Sequence, residues 1–372
     1  MPIRLCLCAA FFAVSSLAHA QYVDSITVTG GKTMEGEVQK VTSTEIGLLL
    51  PGTSSVYTAK RESVIGDINW DETSIPPAMN NGRSQFAAQK YPEAAANFAK
   101  AYASGGTRQV LKQECGFKLA EAHRLSMNFG EAALAYQKLL KDFPDSFYIK
   151  DAYSAIVDCF MFGSPPNYAE ARKYISEISA KAKDLGLSED FVGELKLKDA
   201  RMYERQGQGA SALGVYNGLL NHKTPRVQWA AYAGLGTCQL GAKEFDKAKA
   251  SFQKVIDNAD RSHSATLGRA YNGLGECILT GGLAAENVKE ALYCFLRTVT
   301  LYQPSGTDLI DDHAKAMMMA ARCFHTLSNL EAAQEQKDKL AGEFQKLAGR
   351  FNDMYGGDFP NWVKAVKEPL GK

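Results

Sequence analysis

A short motif recurs along most of the chain and constrains its fold more than any other feature. The motif is an aromatic residue, two variable residues, Ala, three variable residues, and an aromatic residue or Ile. Its clearest copies are Tyr91/Ala94/Phe98, Phe129/Ala132/Tyr136, Tyr168/Ala171/Ile175 and Phe245/Ala248/Phe252. Weaker copies lie around Ala212, Ala291 and Ala333, so the seven Ala positions stand 36 to 43 residues apart. Self-similarity at such a period is typical of a solenoid of repeated structural units.

The residue types of the motif suit a closely packed pair of helices. The Ala lies where the two helices approach closest, and the aromatic residue four positions later fills the gap on the same face. A single pair cannot bury its own apolar face, so successive pairs stack on one another. The sequence therefore predicts a mostly α-helical chain of about seven stacked helix pairs.

The repeat is similar to that of the tetratricopeptide repeat (TPR) family, whose consensus repeat is about 34 residues long. The best copy keeps positions typical of the family: Tyr232, Leu235, Gly236, Phe245, Ala248 and Phe252. It departs at Gln239, where the family usually has an aromatic residue. The resemblance covers about residues 78–345 and implies a right-handed superhelical solenoid with a concave groove. Because the spacing exceeds the consensus, we expect longer turns at residues 163–166 and 281–287.

Residues 22–71 have a different pattern, in which apolar and polar residues alternate between turn signals. Five extended runs predict five short strands, and such a set forms a small barrel or a curled sheet. The stretch from Asp24 to Val38 resembles the Sm-like and SH3-like mini-barrels at the start of some exported bacterial repeat proteins. The module has few basic residues, so we expect a packing or oligomerisation role in preference to RNA binding.

Composition sets two further boundaries. Pro76-Pro77 and Asn80-Asn81-Gly82 are turn-forming sequences, which predict a linker over residues 72–82. The TPR-like helical repeats then occupy residues 83–345. We expect residues 346–372, which include Trp362, to form a tail that caps the exposed apolar end of the solenoid.

The first twenty residues have the organisation of a secretory signal peptide. Arg4 supplies positive charge, residues 5–14 are mainly apolar, and Ala18 and Ala20 are small residues at the cleavage positions. An apolar stretch this short does not span a bilayer as a helix, which needs about 20 residues. We predict cleavage near Ala20 and a periplasmic or extracellular mature chain. A retained N-terminal anchor is the alternative.

The charges are balanced, with 42 Lys and Arg against 41 Asp and Glu, so the chain has no global attraction for nucleic acid or anionic membranes. Six of the eight cysteines follow the predicted signal: Cys115, Cys159, Cys238, Cys277, Cys294 and Cys323. Three of them fall at a repeat position that requires a small buried residue, which indicates core thiols in preference to a disulfide framework. Whether Cys277 and Cys294 form a disulfide is left open by the sequence.

The sequence contains no His-Glu-x-x-His, Gly-x-Ser-x-Gly or Cys-x-x-Cys motif. The nearest approach to a metal-binding set is His313, Cys323 and His325, which lack the spacing of metal ligands on a helix. We therefore predict no catalytic residue, no cofactor and no metal.

The TPR resemblance implies that the first helix of each pair lines the concave groove. Carried over position by position, the groove residues are Arg83, Phe86, Glu121, Arg124, Arg201, Arg205, Asn272, Glu276, Lys315, Arg322 and His325. Basic residues outnumber acidic ones in this set, which favours acidic peptide segments or a C-terminal carboxylate as ligand. A solvated polar face that binds nothing is the alternative interpretation.

These observations predict an exported protein–protein interaction scaffold of the cell envelope that binds a protein or peptide in its groove. The first alternative is a structural envelope component that self-associates through the β-module. The less favoured alternative is an enzyme without a recognisable motif.

Overall fold

A computed structural model of the protein describes residues 21–303 and 310–371. The predicted signal peptide, residues 1–20, lies outside them. The chain divides into two compact units, with the boundary between Cys159 and Phe160. Within the described residues, no helix is both long and apolar enough to cross a membrane.

The first unit begins with an antiparallel sheet of the five predicted strands. The strands are β1 (Asp24–Val28), β2 (Lys32–Val41), β3 (Glu45–Leu49), β4 (Val56–Lys60) and β5 (Val64–Asn69). Their order in the sheet is β4-β3-β2-β1-β5. Alternation places Ile26, Val38 and Leu48 in the interior, where each is at most 1% exposed. The sheet is confirmed, whereas its closure into a barrel stays a prediction.

The helices follow in the order expected for seven pairs and a short final helix. The first unit contains α1 (Pro77–Ala87), α2 (Tyr91–Ala103), α3 (Gln109–Leu125), α4 (Phe129–Asp142) and most of α5 (Ile149–Phe162). The second unit contains α6 (Tyr168–Lys181), α7 (Glu189–Arg205), α8 (Gly209–Asn217), α9 (Pro225–Gly241), α10 (Phe245–Asn258), α11 (Ser264–Thr280), α12 (Ala285–Leu301), α13 (Ile310–Leu330), α14 (Gln334–Tyr355) and α15 (Pro360–Ala365). The longer turn expected before α6 is present between Phe162 and Tyr168, whereas the turn expected over residues 281–287 is shorter, because α12 already begins at Ala285.

The small residue of the repeat motif packs as the sequence predicts in six of the seven copies. The six fully buried alanines are Ala94, Ala132, Ala171, Ala212, Ala248 and Ala291. The seventh position is wrong, because Ala333 caps the N-terminus of α14 and is exposed. The buried face of α14 begins later, at Phe344, and continues through Ala348 and Phe351.

The first helix starts earlier than its predicted boundary. Helix α1 begins at Pro77, inside the stretch assigned to a linker, and contains Asn80, Asn81 and Gly82. Proline at the first helical position has a suitable φ and lacks an N–H that would be unpaired there. Gly82 is buried, and a Cβ at this position would lie 3.1 Å from the Phe98 ring. The glycine therefore permits a close helix approach and does not mark a turn.

Buried polar contacts attach the sheet to the helices within the first unit. Arg108, just before α3, donates hydrogen bonds to both carboxylate oxygens of Asp24 on β1, at 2.8 and 3.1 Å. Glu114 on α3 accepts a 2.6 Å hydrogen bond from the Trp70 indole, and the Gln113 amide donates to the Val41 carbonyl at 2.9 Å. These contacts make the β-module part of the same packed unit as α1–α4.

The described cysteines are mainly core residues, as the repeat register indicates. Five of the six are buried, and Cys238 is partly buried. Cys277 and Cys294 are free thiols in one hydrophobic cluster. Burial raises the pKa of the Cys115 and Cys323 thiols to about 12, so both are protonated at neutral pH.

Candidate partner-binding groove

A cavity of about 160 Å³ lies in the second unit among the first helices of four successive pairs. Helices α7, α9, α11 and α13 contribute most of its wall, as expected if the first helix of each pair faces the groove. Five of the eleven groove residues carried over from the TPR pattern line this cavity: Arg201, Arg205, Asn272, Glu276 and Lys315. The structure thus brings together residues that are up to 114 positions apart in the sequence.

The cavity wall carries equal numbers of basic and acidic side chains. Its ion pairs are Arg201 with Asp312, Arg205 with Asp311, Arg269 with Glu204, and Lys315 with Glu276. The Nη2 atom of Arg201 lies 2.8 Å from Asp312 Oδ2, and Lys315 Nζ lies 2.6 Å from Glu276 Oε1. The basic surplus counted from the sequence is therefore offset here by carboxylates absent from that set.

Arg269 is the most enclosed cation of the cavity. Its side chain is 11% exposed, and its Nη2 atom contacts both Glu204 carboxylate oxygens, at 2.5 and 2.6 Å. The Nε atom of Arg269 also donates to the Thr237 hydroxyl, at 3.1 Å. Burial opposes the charge, but the Glu204 carboxylate and the neighbouring Tyr216 and Asp312 outweigh it and raise the pKa of Arg269. Arg269 thus remains cationic and rigidly held.

Asn272 lines this cavity and has an unsatisfied hydrogen-bond acceptor. Its residue is 2% exposed, and its Nδ2 atom donates to the Asp312 carbonyl at 2.6 Å. A carbonyl only accepts, so this contact fixes which end of the side-chain amide is nitrogen. The buried Oδ1 atom has no hydrogen-bond partner in the described part of the chain. A buried unpaired acceptor costs about 1–3 kcal/mol, so a ligand or water N–H or O–H donor would be favourable there.

Four charged residues of the cavity were absent from the sequence-derived groove set. Glu204 follows Arg201 by three positions and therefore shares its helix face, which is a usable local signal. Asp311 and Asp312 lie in the first turn of α13. Their pairing with α7 spans 106 and 111 residues, and no local pattern shows it. The fourth is Arg269, three positions before Asn272 on α11.

Four predicted groove residues lie in the first unit and do not join this cavity. Arg83 pairs with Glu114 at 2.6 Å, next to the Trp70 contact. Phe86 is partly buried and packs edge-on against Tyr91 and Phe98 of the first helix pair.

The other two, Glu121 and Arg124, pair with each other across one turn of α3 at 2.7 Å. The Tyr136 hydroxyl also donates to Glu121, and the Glu121 hydrogen bond raises the pKa of Arg124. The ion pair of Glu121 and Arg124 lies within their own repeat, whereas Arg83 and Phe86 also contact α3 of the next repeat, through Glu114 and Lys118.

The last two predicted residues lie on the second half of α13. The Arg322 guanidinium donates to the Glu368 and Pro369 carbonyls, at 3.2 and 3.1 Å. His325 stacks on Phe344 with ring centroids 4.6 Å apart, and its buried Nδ1 has no hydrogen-bond partner among residues 21–303 and 310–371.

His313 has a structural environment. The Val299 carbonyl only accepts, so Nε2 of His313 donates to it at 3.3 Å and Nδ1 accepts from the Tyr355 hydroxyl at 2.7 Å. Both ring nitrogens are therefore engaged. Among the residues that the structure describes, no group of three His, Cys, Asp or Glu side chains could hold a metal ion.

Comparison with known proteins identifies the repeat. The tetratricopeptide repeat family model matches residues 114–146 and 230–262, which contain the second and fifth copies of the motif. The helices have a TPR-like arrangement, and two of the repeats match the family model. No curated protein matches the chain in sequence.

The chain is similar to several solved TPR structures at low sequence identity. A Pyrococcus horikoshii signal-transduction ATPase with a TPR sensor is 13% identical, with a TM-score of 0.50 over 78% of this chain and 43% of that chain. A TPR protein from Parabacteroides merdae is 11% identical, with a TM-score of 0.49 over 79% and 99%. The type IV pilus biogenesis factor PilW is 14% identical, with a TM-score of 0.42 over 70% and 99%. Such likenesses concern the fold alone.

Proposed function

We propose that this chain is an exported protein–protein interaction scaffold of the cell envelope, which binds a protein or peptide in the cavity among α7, α9, α11 and α13. TPR arrays generally mediate protein–protein interaction and are typically non-catalytic. The observation that carries the proposal is the buried, unpaired Oδ1 of Asn272 in that cavity. A main-chain N–H of a bound peptide is a donor that would satisfy this atom.

The proposed ligand carries an acidic group. Arg205 and Asp311 form a solvent-accessible ion pair of the cavity, with side chains 28% and 41% exposed. An ion pair exposed to this degree contributes at most about 1 kcal/mol. A ligand carboxylate can therefore replace Asp311 beside Arg205 at little cost. The deeper Arg269–Glu204 pair would stay in place as part of the wall.

Site-specific photo-crosslinking in the producing cell tests the proposal. A photoreactive residue at Thr237, which lines the cavity, is compared with one at Thr300, a helical threonine outside the lining. We expect a discrete protein adduct from position 237 and none from position 300. Equal capture from both positions, or no adduct from position 237 in chain that is present and folded, would contradict the proposal.

Export is tested separately. We expect the mature N-terminus to be Gln21 and a C-terminal alkaline phosphatase fusion to be active, since that enzyme requires an oxidising compartment. An intact N-terminus together with an inactive fusion would exclude export while leaving the interaction proposal standing.

A second candidate function rests on the sheet. Strands β4 and β5 form its two edges, and Val56 and Ile65 on them are 52% and 51% exposed. Exposed apolar edge strands favour pairing with another strand, which would allow self-association through the β-module. Sedimentation equilibrium distinguishes this role, because a monomer that Val56→Lys leaves unchanged would remove it.

A further inference from the structure

A short non-helical segment, residues 368–371, lies against the second half of α13 and is called the docked segment below. The Arg322 guanidinium on α13 donates to its Glu368 and Pro369 carbonyls, at 3.2 and 3.1 Å. The Leu370 N–H donates to the Thr326 hydroxyl oxygen at 2.9 Å. The same hydroxyl donates to the Arg322 carbonyl at 2.8 Å, which fixes its orientation. All three contacts use main-chain atoms of the docked segment.

One side chain of the docked segment makes an apolar contact. Leu370 is partly buried and packs against the hydrophobic cluster that contains Cys277, Cys323 and Leu327. Beside it, a Cβ on Gly371 would lie 3.1 Å from Leu283. The α13 surface, defined here as Arg322, Thr326 and this apolar patch, therefore contacts a peptide backbone, one leucine and a following small residue.

The docked segment packs on a different cluster from the helix that precedes it, although the Glu368 N–H donates to the Ala365 carbonyl at the end of α15, at 3.1 Å. Val366 is fully buried in a different cluster, which includes Phe351 and Tyr355, and its N–H donates to the Trp362 carbonyl at 2.8 Å. Residues 367 and 371 are exposed, and residues 368–370 are only partly buried. Release of the docked segment would thus leave α15 and Val366 in place. Segments with few buried apolar contacts open locally at low free energy.

We propose that the α13 surface is a peptide-binding site, and that the docked segment occupies it as an intramolecular competitor. The partner is a non-helical peptide segment with the sequence Pro-Leu followed by a small residue, as in Pro369-Leu370-Gly371. Specificity comes from the leucine, because the hydrogen bonds contact only backbone. This site is distinct from the cavity lined by Asn272, and either can fail without the other.

The test uses the full chain and a fluorescein-labelled peptide of residues 366–371 as probe, with binding followed by anisotropy. Leu370→Asp removes the apolar contact of the docked segment and should free the surface. We expect this variant to bind the probe at least about tenfold more tightly than wild type, since an intramolecular competitor lowers apparent affinity. Glu368→Gln is the matched control, because it leaves in place the Glu368 carbonyl that accepts from Arg322, and it should bind like wild type.

A change on the receptor side locates the binding. Adding Arg322→Ala or Thr326→Val to Leu370→Asp should weaken probe binding at least about tenfold. Equal binding by wild type and Leu370→Asp would overturn the proposal. Absence of binding to a Leu370→Asp variant with unchanged circular dichroism and melting temperature would do the same and leave the segment as a cap.

Hydrogen exchange of the unmodified chain provides an independent test if Leu370→Asp does not fold. The Leu370 amide should exchange at least about tenfold faster than the Val366 amide, and added probe peptide should leave Val366 unaffected. If both amides exchanged only through a common unfolding event, this result would contradict the local release of the docked segment. A concentration-dependent wild-type dimer that Leu370→Asp abolishes would assign the surface to a second copy and would also overturn the proposal.

Discussion

Replacing Asp24 by Asn tests whether the β-module and the first helices form one cooperative unit. The Asp24 carboxylate is fully buried and accepts hydrogen bonds from the Val38 and Asp71 amides, at 2.8 and 2.9 Å, in addition to both Arg108 contacts. Asparagine presents an amide in place of one acceptor and leaves a largely buried Arg108 without its counter-charge. Breaking a buried ion pair from one side costs about 3–5 kcal/mol. Arg108 is 13% exposed, so we expect about 3 kcal/mol.

The three tryptophans allow a unit-specific assay. Trp70 lies in the first unit, whereas Trp229 and Trp362 lie in the second, so a Trp229→Phe/Trp362→Phe background leaves Trp70 fluorescence as the reporter. With an m-value of about 2 kcal/mol/M, a loss of 3 kcal/mol lowers the urea midpoint by about 1.5 M.

Glu45→Gln provides the control for the Asp24 prediction, because it removes the exposed Lys40–Glu45 pair, whose side chains are 61% and 37% exposed. It should cost less than about 1 kcal/mol. An Asp24→Asn effect no larger than this control would refute the reasoning. So would a double-mutant cycle with Arg108→Gln that shows no coupling.

Three further predictions concern packing and titration. Gly273→Ala would place a methyl group 2.1 Å from Phe252, so we expect a loss of about 3 kcal/mol in urea unfolding; Gly214→Ala meets nothing within 4 Å and should not destabilise. Burial lowers the pKa of His313, so the unfolded chain binds that proton more tightly and stability falls as pH drops below about 6.5. His313→Gln should flatten this pH dependence, and an unchanged slope between pH 7.5 and 5 would count against it. With a pKa of about 12, buried Cys115 should resist a thiol reagent at pH 8 until urea unfolds the chain, and rapid native labelling would contradict its core position.

The fold could be predicted largely because its determinants are local. Residues such as Ala132 and Ala248 repeat at a fixed register, and their full burial follows from the motif. The motif misplaced the seventh copy at Ala333, because the buried face of the long α14 starts at Phe344, eleven positions later, and no short pattern encodes that offset. Gly82 was misinterpreted for a related reason, since glycine permits both turns and close helix packing.

The candidate site could be predicted only in part. The TPR resemblance placed Arg201, Asn272 and Lys315 on the groove face, and the structure brings them into one cavity. The charge partners of Arg201 and Arg205 could not be inferred, because Asp312 and Asp311 lie more than a hundred positions away. A count of basic side chains therefore overstated the local positive charge. The contacts of Arg322 with the Glu368 and Pro369 carbonyls could not be inferred either, because these residues are also distant in the sequence.

Photo-crosslinking from Thr237, repeated with Asn272→Leu in the same chain, tests most directly whether the cavity binds a protein partner. Asn258→Leu is the matched control, because Asn258 also donates to a main-chain carbonyl but is exposed and lies outside the cavity. We predict that Asn272→Leu reduces the captured adduct at least about tenfold, since a hydrogen bond to a buried acceptor contributes about 1–3 kcal/mol. Asn258→Leu should leave the adduct unchanged. An adduct of equal yield in both variants would contradict the proposed role of the cavity.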